Sequence, residues 1–114
     1  MATGLRRHRD AGGRTVVDAT TIGLSPRPDL VARIARPTGV NVVAGAAFYI
    51  HPSHPLWVCQ ASVDELEQRL EQEVTRGVVG SGVLPGVLGE IGMGAPPEPC
   101  EWRVLRAAAR VACR

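Results

Sequence analysis

Hydrophobic positions follow two rhythms along this chain: short unbroken β-branched runs, and longer stretches with apolar residues three or four apart. Residues 15–20, Thr-Val-Val-Asp-Ala-Thr, follow Gly12-Gly13 and end in the turn-forming stretch 23–28, which predicts a buried strand. In residues 29–35, Leu30, Val31 and Ile34 share one face while Arg33 and Arg36 lie outside it. A short helix is predicted, with Gly39 beyond its end. Pro37 would fall in its last turn and remove a hydrogen bond. Val40, Val42 and Val43 open a second run, apolar on both faces and reaching Gly45 before Phe48-Tyr49, which suits a parallel strand covered on each side.

The clearest helix follows. Ser62-Val63-Asp64-Glu65 matches the capping box, Val63, Leu66, Leu70 and Val74 form one apolar stripe, and Gly77 ends the pattern. Glu65 with Arg69, and Arg69 with Glu73, are spaced to pair on the outer face. Residues 86–91, Gly-Val-Leu-Gly-Glu-Ile, predict a third strand. In it, alternation puts Gly86, Leu88 and Glu90 on one side and Val87, Gly89 and Ile91 on the other. After a loop at 92–99, Trp102, Leu105, Ala109 and Ala112 mark the buried stripe of a last helix. Strands alternating with helices predict βαβ units, a parallel sheet and an α/β fold in a single domain spanning 1–114.

Composition changes this picture little. The 114 residues carry 13 basic and 11 acidic side chains, a net charge of +2, which predicts no nucleic-acid and no membrane partner. Every basic residue is Arg, a compositional habit without functional content. Cys59, Cys100 and Cys113 are odd in number and lack a Cys-x-x-Cys pair, so neither a disulfide framework nor a zinc ribbon is expected, and a reducing cytoplasm is. Arg6, Arg7 and Arg9 are followed by Ala11, Gly12, Gly13 and Arg14, so no secretion signal is expected. The longest apolar run, 40–50, contains Asn41 and is well short of the ~20 residues that span a bilayer.

Four features carry candidate chemistry. The glycine-rich stretch 80–86 has the wrong spacing for a dinucleotide fingerprint and follows a helix where a phosphate loop would precede one. His51 and His54 stand three apart, but flanking prolines forbid the helix that would make them a metal pair, and an exposed loop is expected. Arg103, Arg106, Arg110 and Arg114 form a stripe read as a solvated outer face. Glu90 differs, as a carboxylate at the end of an apolar strand, where parallel α/β folds place their active face. It is read either as a functional group or as a structural carboxylate, paired with an Arg or exposed in the loop.

Taken together, residues 12–18 with 20–23, residues 38–45 running into Phe48-Tyr49, the helix at 62–77 and residues 86–92 resemble the phosphotriesterase-related branch of the amidohydrolase superfamily. The resemblance implies a (β/α)₈ TIM barrel with one or two divalent metals, usually zinc, at its C-terminal mouth. It implies hydrolysis of small-molecule phosphotriesters, lactones or related esters and amides, and a homodimer. By motif match, Glu90 takes the place of the bridging metal carboxylate after the fourth barrel strand. Phe48 and Tyr49 take that of an aromatic pair lining the substrate pocket. The family's His-x-His, its single histidines on the fifth and sixth strands and its Asp on the eighth have no counterpart, since His8, His51 and His54 fit none of those motifs. A full barrel needs ~250 residues. The chain is therefore expected to be an internal fragment covering the second to fourth strands, inactive alone, or else a scaffold or interaction module derived from the barrel.

Overall fold

The computed structural model describes residues 1–114. Three strands, β1 (Thr15–Asp18), β2 (Asn41–Ala46) and β3 (Val87–Leu88), form a parallel sheet in the order β1-β2-β3. Thr15 lies opposite Asn41, and Gly45 opposite Val87. The helices are α1 (Ala2–Asp10), α2 (Pro28–Ala35), the short α3 (Leu56–Gln60), α4 (Val63–Arg76) and α5 (Pro99–Ala112). The expected α/β order holds, as a partial barrel sheet with an open face.

Helix α2 begins with Pro28, whose missing N–H costs nothing in a first turn, and Asp29 lies where helix amides favour negative charge. It ends at Ala35, two residues before Pro37, with Arg36 still in a helical backbone conformation as its cap. The chain continues as a 3₁₀ turn, Arg36–Thr38, and reverses at Gly39 with φ +71°. The Thr38 hydroxyl donates to Ala35 O at 2.6 Å and accepts from the Val40 amide at 3.3 Å. This side chain ties the end of α2 to the start of β2.

Two clusters hold the layers together. Leu5, Ala35 and Val40, with Val16, Ile34 and Val42, join α1 and α2 to one face of the sheet. Leu30, expected on the inner face of α2, is exposed, and the smaller Ala35 is buried instead. The larger cluster joins Phe48, Val58, Leu66, Leu70, Val104 and Ala107, with Ile91 packed against it. Alternation turns Val17, Val43 and Gly45 away from the side where Val16 and Val42 meet the helices. No layer covers that opposite side, and Val17 is 54% exposed.

Helix α4 opens with both halves of its capping box: Ser62 Oγ accepts from the Glu65 amide at 3.2 Å and Glu65 Oε2 from the Ser62 amide at 2.7 Å. Glu65 is thereby occupied, and of its two expected pairs Arg69 forms one, with Glu73 at 2.9 Å. Glu73 is buried and also accepts from the amide of Val79, a residue held at φ +49° in the turn after the helix.

Helix α5 presents a different face from the one expected. Cys100, Glu101, Val104, Ala107 and Ala108 are buried, while Trp102 and Leu105 are exposed. A helix with apolar residues on both sides has two admissible faces, and periodicity alone does not choose between them. Arg106, Arg110 and Arg114 stay exposed, as expected of an outer face, but most of the stripe is engaged in pairing. Arg110 contacts Asp64 at 2.8 Å and Glu67 at 3.1 Å, Arg114 pairs with Glu67 and Glu71, and Arg103 donates to backbone carbonyls, so three of the four arginines fasten α5 to its neighbours.

Candidate active face at the strand C-termini

Beyond Leu88 the chain leaves the ladder. Gly89 adopts φ +152°, a conformation open to glycine, and β3 is therefore two residues long where residues 86–91 were expected. The Gly89 amide still donates to Ala46 O at 2.7 Å, but the next amide, that of Glu90, reaches past β2 to Ala19 O at 3.4 Å. β1 and β3 are not neighbours, so this link crosses over the end of the intervening strand. Gly45 makes the crossing possible: a β-carbon there would overlap the Gly89 carbonyl oxygen and approach Ala19 Cα to 3.2 Å. The crossing lies on the uncovered side of the sheet, the side of Val43, whose Cγ1 would lie 2.5 Å from a β-carbon on Gly86.

Glu90 is exposed, and its carboxylate has neither a hydrogen bond nor an ion pair within the chain. Of the two structural alternatives, a salt bridge to an arginine is not formed, while exposure in the loop after β3 is what the chain adopts. The nearby carboxylate of Asp18 is committed locally, accepting from the Thr20 amide at 3.1 Å and its hydroxyl at 2.6 Å.

The aromatic pair divides. Phe48, expected to line a pocket, has no exposed surface. It bridges to Ile22, meets Trp57 edge-on at 5.4 Å and His54 at 6.3 Å, and is part of the core. The physical reason is that the chain turns inward after Ala46, beneath α3 and α4, so the side chain enters the helix layer. Tyr49 is half-buried. Its ring lies against Gly92, where a β-carbon would come within 2.6 Å of Cε2, and its carbonyl accepts from the Gly92 amide at 3.0 Å. Tyr49 and Glu90 are thus carried on two loops joined to one another.

Glu101, to which the sequence assigned no role, shapes this end of the molecule together with Arg103 and His54, expected on a solvated face and in an exposed loop. Glu101, 1% exposed, accepts from the amides of His51 at 2.8 Å, Gly94 at 3.0 Å and Glu98 at 2.8 Å. Burial pushes its pKa up, but these amides outweigh burial and hold it below the ordinary glutamate range. Arg103 donates to Cys59 O at 2.6 Å and Ala61 O at 2.9 Å, fixing the end of α3. The ring nitrogens of His54 are buried without partners, and burial holds its pKa below the usual histidine value. The only sequence signal for Glu101 was its place three residues after Glu98, a capping pattern that the structure forms.

The fold is shared with known proteins, and residues 2–114 match the Phosphotriesterase family. The chain belongs to the phosphotriesterase family. It is 36% identical over 99 residues to the N-acetyltaurine hydrolase of Xenopus tropicalis, covering 87% of this chain and 28% of that protein. Superposition on a resiniferatoxin-binding protein from Rhodobacter sphaeroides gives a TM-score of 0.93 at 33% identity, over 99% of this chain and 32% of that one. A lactonase from Listeria monocytogenes gives 0.88 at 25% identity, over 98% of this chain and 40% of the other. The chain therefore spans less than a third of the length of the curated relative it matches. The family is one of hydrolases acting on small molecules. No helix is long and apolar enough to cross a membrane.

Val87 lies opposite Gly45 on the uncovered side and Leu88 opposite Ala46, the reverse of the expected alternation. The exposed carboxylate of Glu90, free of partners, has the chemistry of one oxygen ligand to a divalent ion. One carboxylate does not make a centre, and Asp18 is already engaged by Thr20. The family's metal set is thus not met by the residues of this chain alone.

Proposed function

We propose that this chain is the second-to-fourth-strand portion of a metal-dependent hydrolase barrel, in which Glu90 contributes a metal ligand and Tyr49 a wall of the substrate pocket. The observation that carries the reading is the crossing over Gly45. It carries a residue with an exposed, unpaired carboxylate just beyond the strand C-termini, the end at which parallel α/β enzymes work. Phe48 supports Tyr49 from the core. When bound, the metal, zinc by family resemblance, would lower the pKa of a water toward ~7 and polarise the substrate oxygen. The residues of this chain would hold the ion's negative counter-charge at Glu90 and shape the pocket through Tyr49.

The substrates in this reading are small esters, lactones or amides, the location is cytoplasmic, and the working form is a completed barrel that can dimerise. Activity requires that completion, because hydroxide generation needs several ligands around the ion. The 114-residue chain alone is expected to be inactive. Zinc-dependent, chelator-sensitive hydrolysis of esters or lactones by the purified chain would refute that expectation. The site assignment is tested by grafting residues 2–114 in place of the matching 40% of the Listeria lactonase. The graft should retain lactonase activity, and Glu90→Gln in it should reduce both bound metal and turnover at least tenfold with the fold intact. Full metal content in that variant would remove Glu90 from the site.

A further inference from the structure

The sequence offered two features that lacked a role: cysteines with no partner spacing, and histidines in a proline-bound loop. The fold brings part of each together. His51 heads a 3₁₀ turn, Cys59 lies in α3 and Cys100 is the second residue of α5, and their ligand atoms all lie within 4.8 Å of one another. We propose that His51, Cys59 and Cys100 form a binding site for a zinc-class divalent ion, with the fourth position open to solvent.

The placement of the three donors is enforced. The Glu101 carboxylate holds the His51 amide at 2.8 Å, and the Arg103 guanidinium holds the Cys59 carbonyl at 2.6 Å. Both clamps belong to α5, the helix that supplies Cys100, so one rigid element fixes the backbone of all three donors. Two sulfurs and an imidazole are a donor set that selects borderline-soft ions over magnesium or calcium. A tetrahedral zinc centre needs donor separations of about 3.5–3.8 Å, so donors within 4.8 Å of one another have to close by about an ångström at most. Burial is graded in the useful sense, with Cys100 5% exposed, Cys59 half-buried and His51 open, leaving an entry path on the histidine side. The acidic side chains on α4 are poorer candidates, because Glu67 and Glu71 are already paired with Arg110 and Arg114. On binding, each thiol would give its proton to solvent and its sulfur lone pair to the metal, so about two protons leave per ion. The site shares no residue with the proposed role of Glu90 and does not depend on it.

The test is titration of cobalt(II), a spectroscopic stand-in for zinc, into the phosphine-reduced 114-residue chain. Expected are thiolate-to-cobalt charge-transfer bands saturating at one ion per chain and abolished by added zinc. Cys59→Ser and Cys100→Ser should each remove at least half the thiolate band. His51→Asn should weaken binding at least tenfold, and Cys113→Ser should change nothing. His51 is exposed and Cys59 half-buried, so these two variants remain decisive, with unchanged far-UV circular dichroism, even where Cys100→Ser unfolds. Absence of thiolate bands, persistence of full bands in Cys59→Ser, unchanged affinity in His51→Asn, or loss of bands in Cys113→Ser would overturn the proposal.

Discussion

The carbonyl oxygen of Gly89 occupies the space that a β-carbon on Gly45 would take. Two glycines on adjacent strands thereby allow the segment carrying Glu90 to pass over β2 and reach Ala19. Gly45→Ala should force the strands apart, because the obstacles are backbone atoms that cannot rotate away. A loss of about 1–3 kcal/mol is expected, read from the urea midpoint. Faster hydrogen exchange at the Gly89 amide, which now donates to Ala46, should accompany it. An unchanged midpoint would mean that the crossing relaxes freely.

Phe48 and Tyr49 should respond oppositely to truncation. Phe48→Ala empties a wholly buried position among Trp57, His54 and the α4 leucines, at a cost of about 3–5 kcal/mol. That is a large share of the stability of a small domain, and the thermal transition should broaden or vanish. Tyr49→Ala removes a half-buried ring and should leave the transition in place. Equal stability in the two variants would return Phe48 to the pocket wall.

Glu101→Gln tests the buried carboxylate. Replacing one oxygen by an NH₂ turns a donor toward amides that need an acceptor, and should cost about 2–3 kcal/mol at neutral pH. Because the folded-state pKa of Glu101 is depressed, its contribution is complete above the unfolded glutamate value and is lost as pH falls through the folded one. The stability gap between wild type and variant should therefore narrow on acidification through and below the glutamate range. A gap independent of pH would show that the carboxylate's charge is not what the three amides recognise.

The uncovered sheet face should make the chain associate. Val17 is 54% exposed, and both β1 and β3 are edge strands with unpaired backbone groups. Size-exclusion chromatography with light scattering should show concentration-dependent association, reduced by Val17→Lys, which adds a charge to the exposed face without touching the helix side. A monomer at all concentrations would indicate that this face tolerates water.

Much of this molecule was legible in its sequence because the relevant forces are local. The strand of β-branched residues at Thr15–Asp18, the capping box at Ser62 and the leucine stripe of α4 follow from backbone preferences and helical period, and the spaced glycine blocks carry the family resemblance. Pro37 falls beyond α2, in the 3₁₀ turn and not in the helix's last turn, and the Thr38 hydroxyl that braces that turn had no local signal. Tertiary structure decided what period leaves degenerate. Helix α5 has apolar residues on two sides, and packing against α4 buried Val104 and Ala107 in place of Trp102 and Leu105. Phe48 went into the core because the chain turns under α3 after β2, a turn without a local signature. The approach of His51, Cys59 and Cys100, and the reach of Glu101 across fifty residues to His51, depend on how separate elements dock. Such contacts are set by the geometry of burial between distant segments, which the order of residues along the chain does not specify on its own.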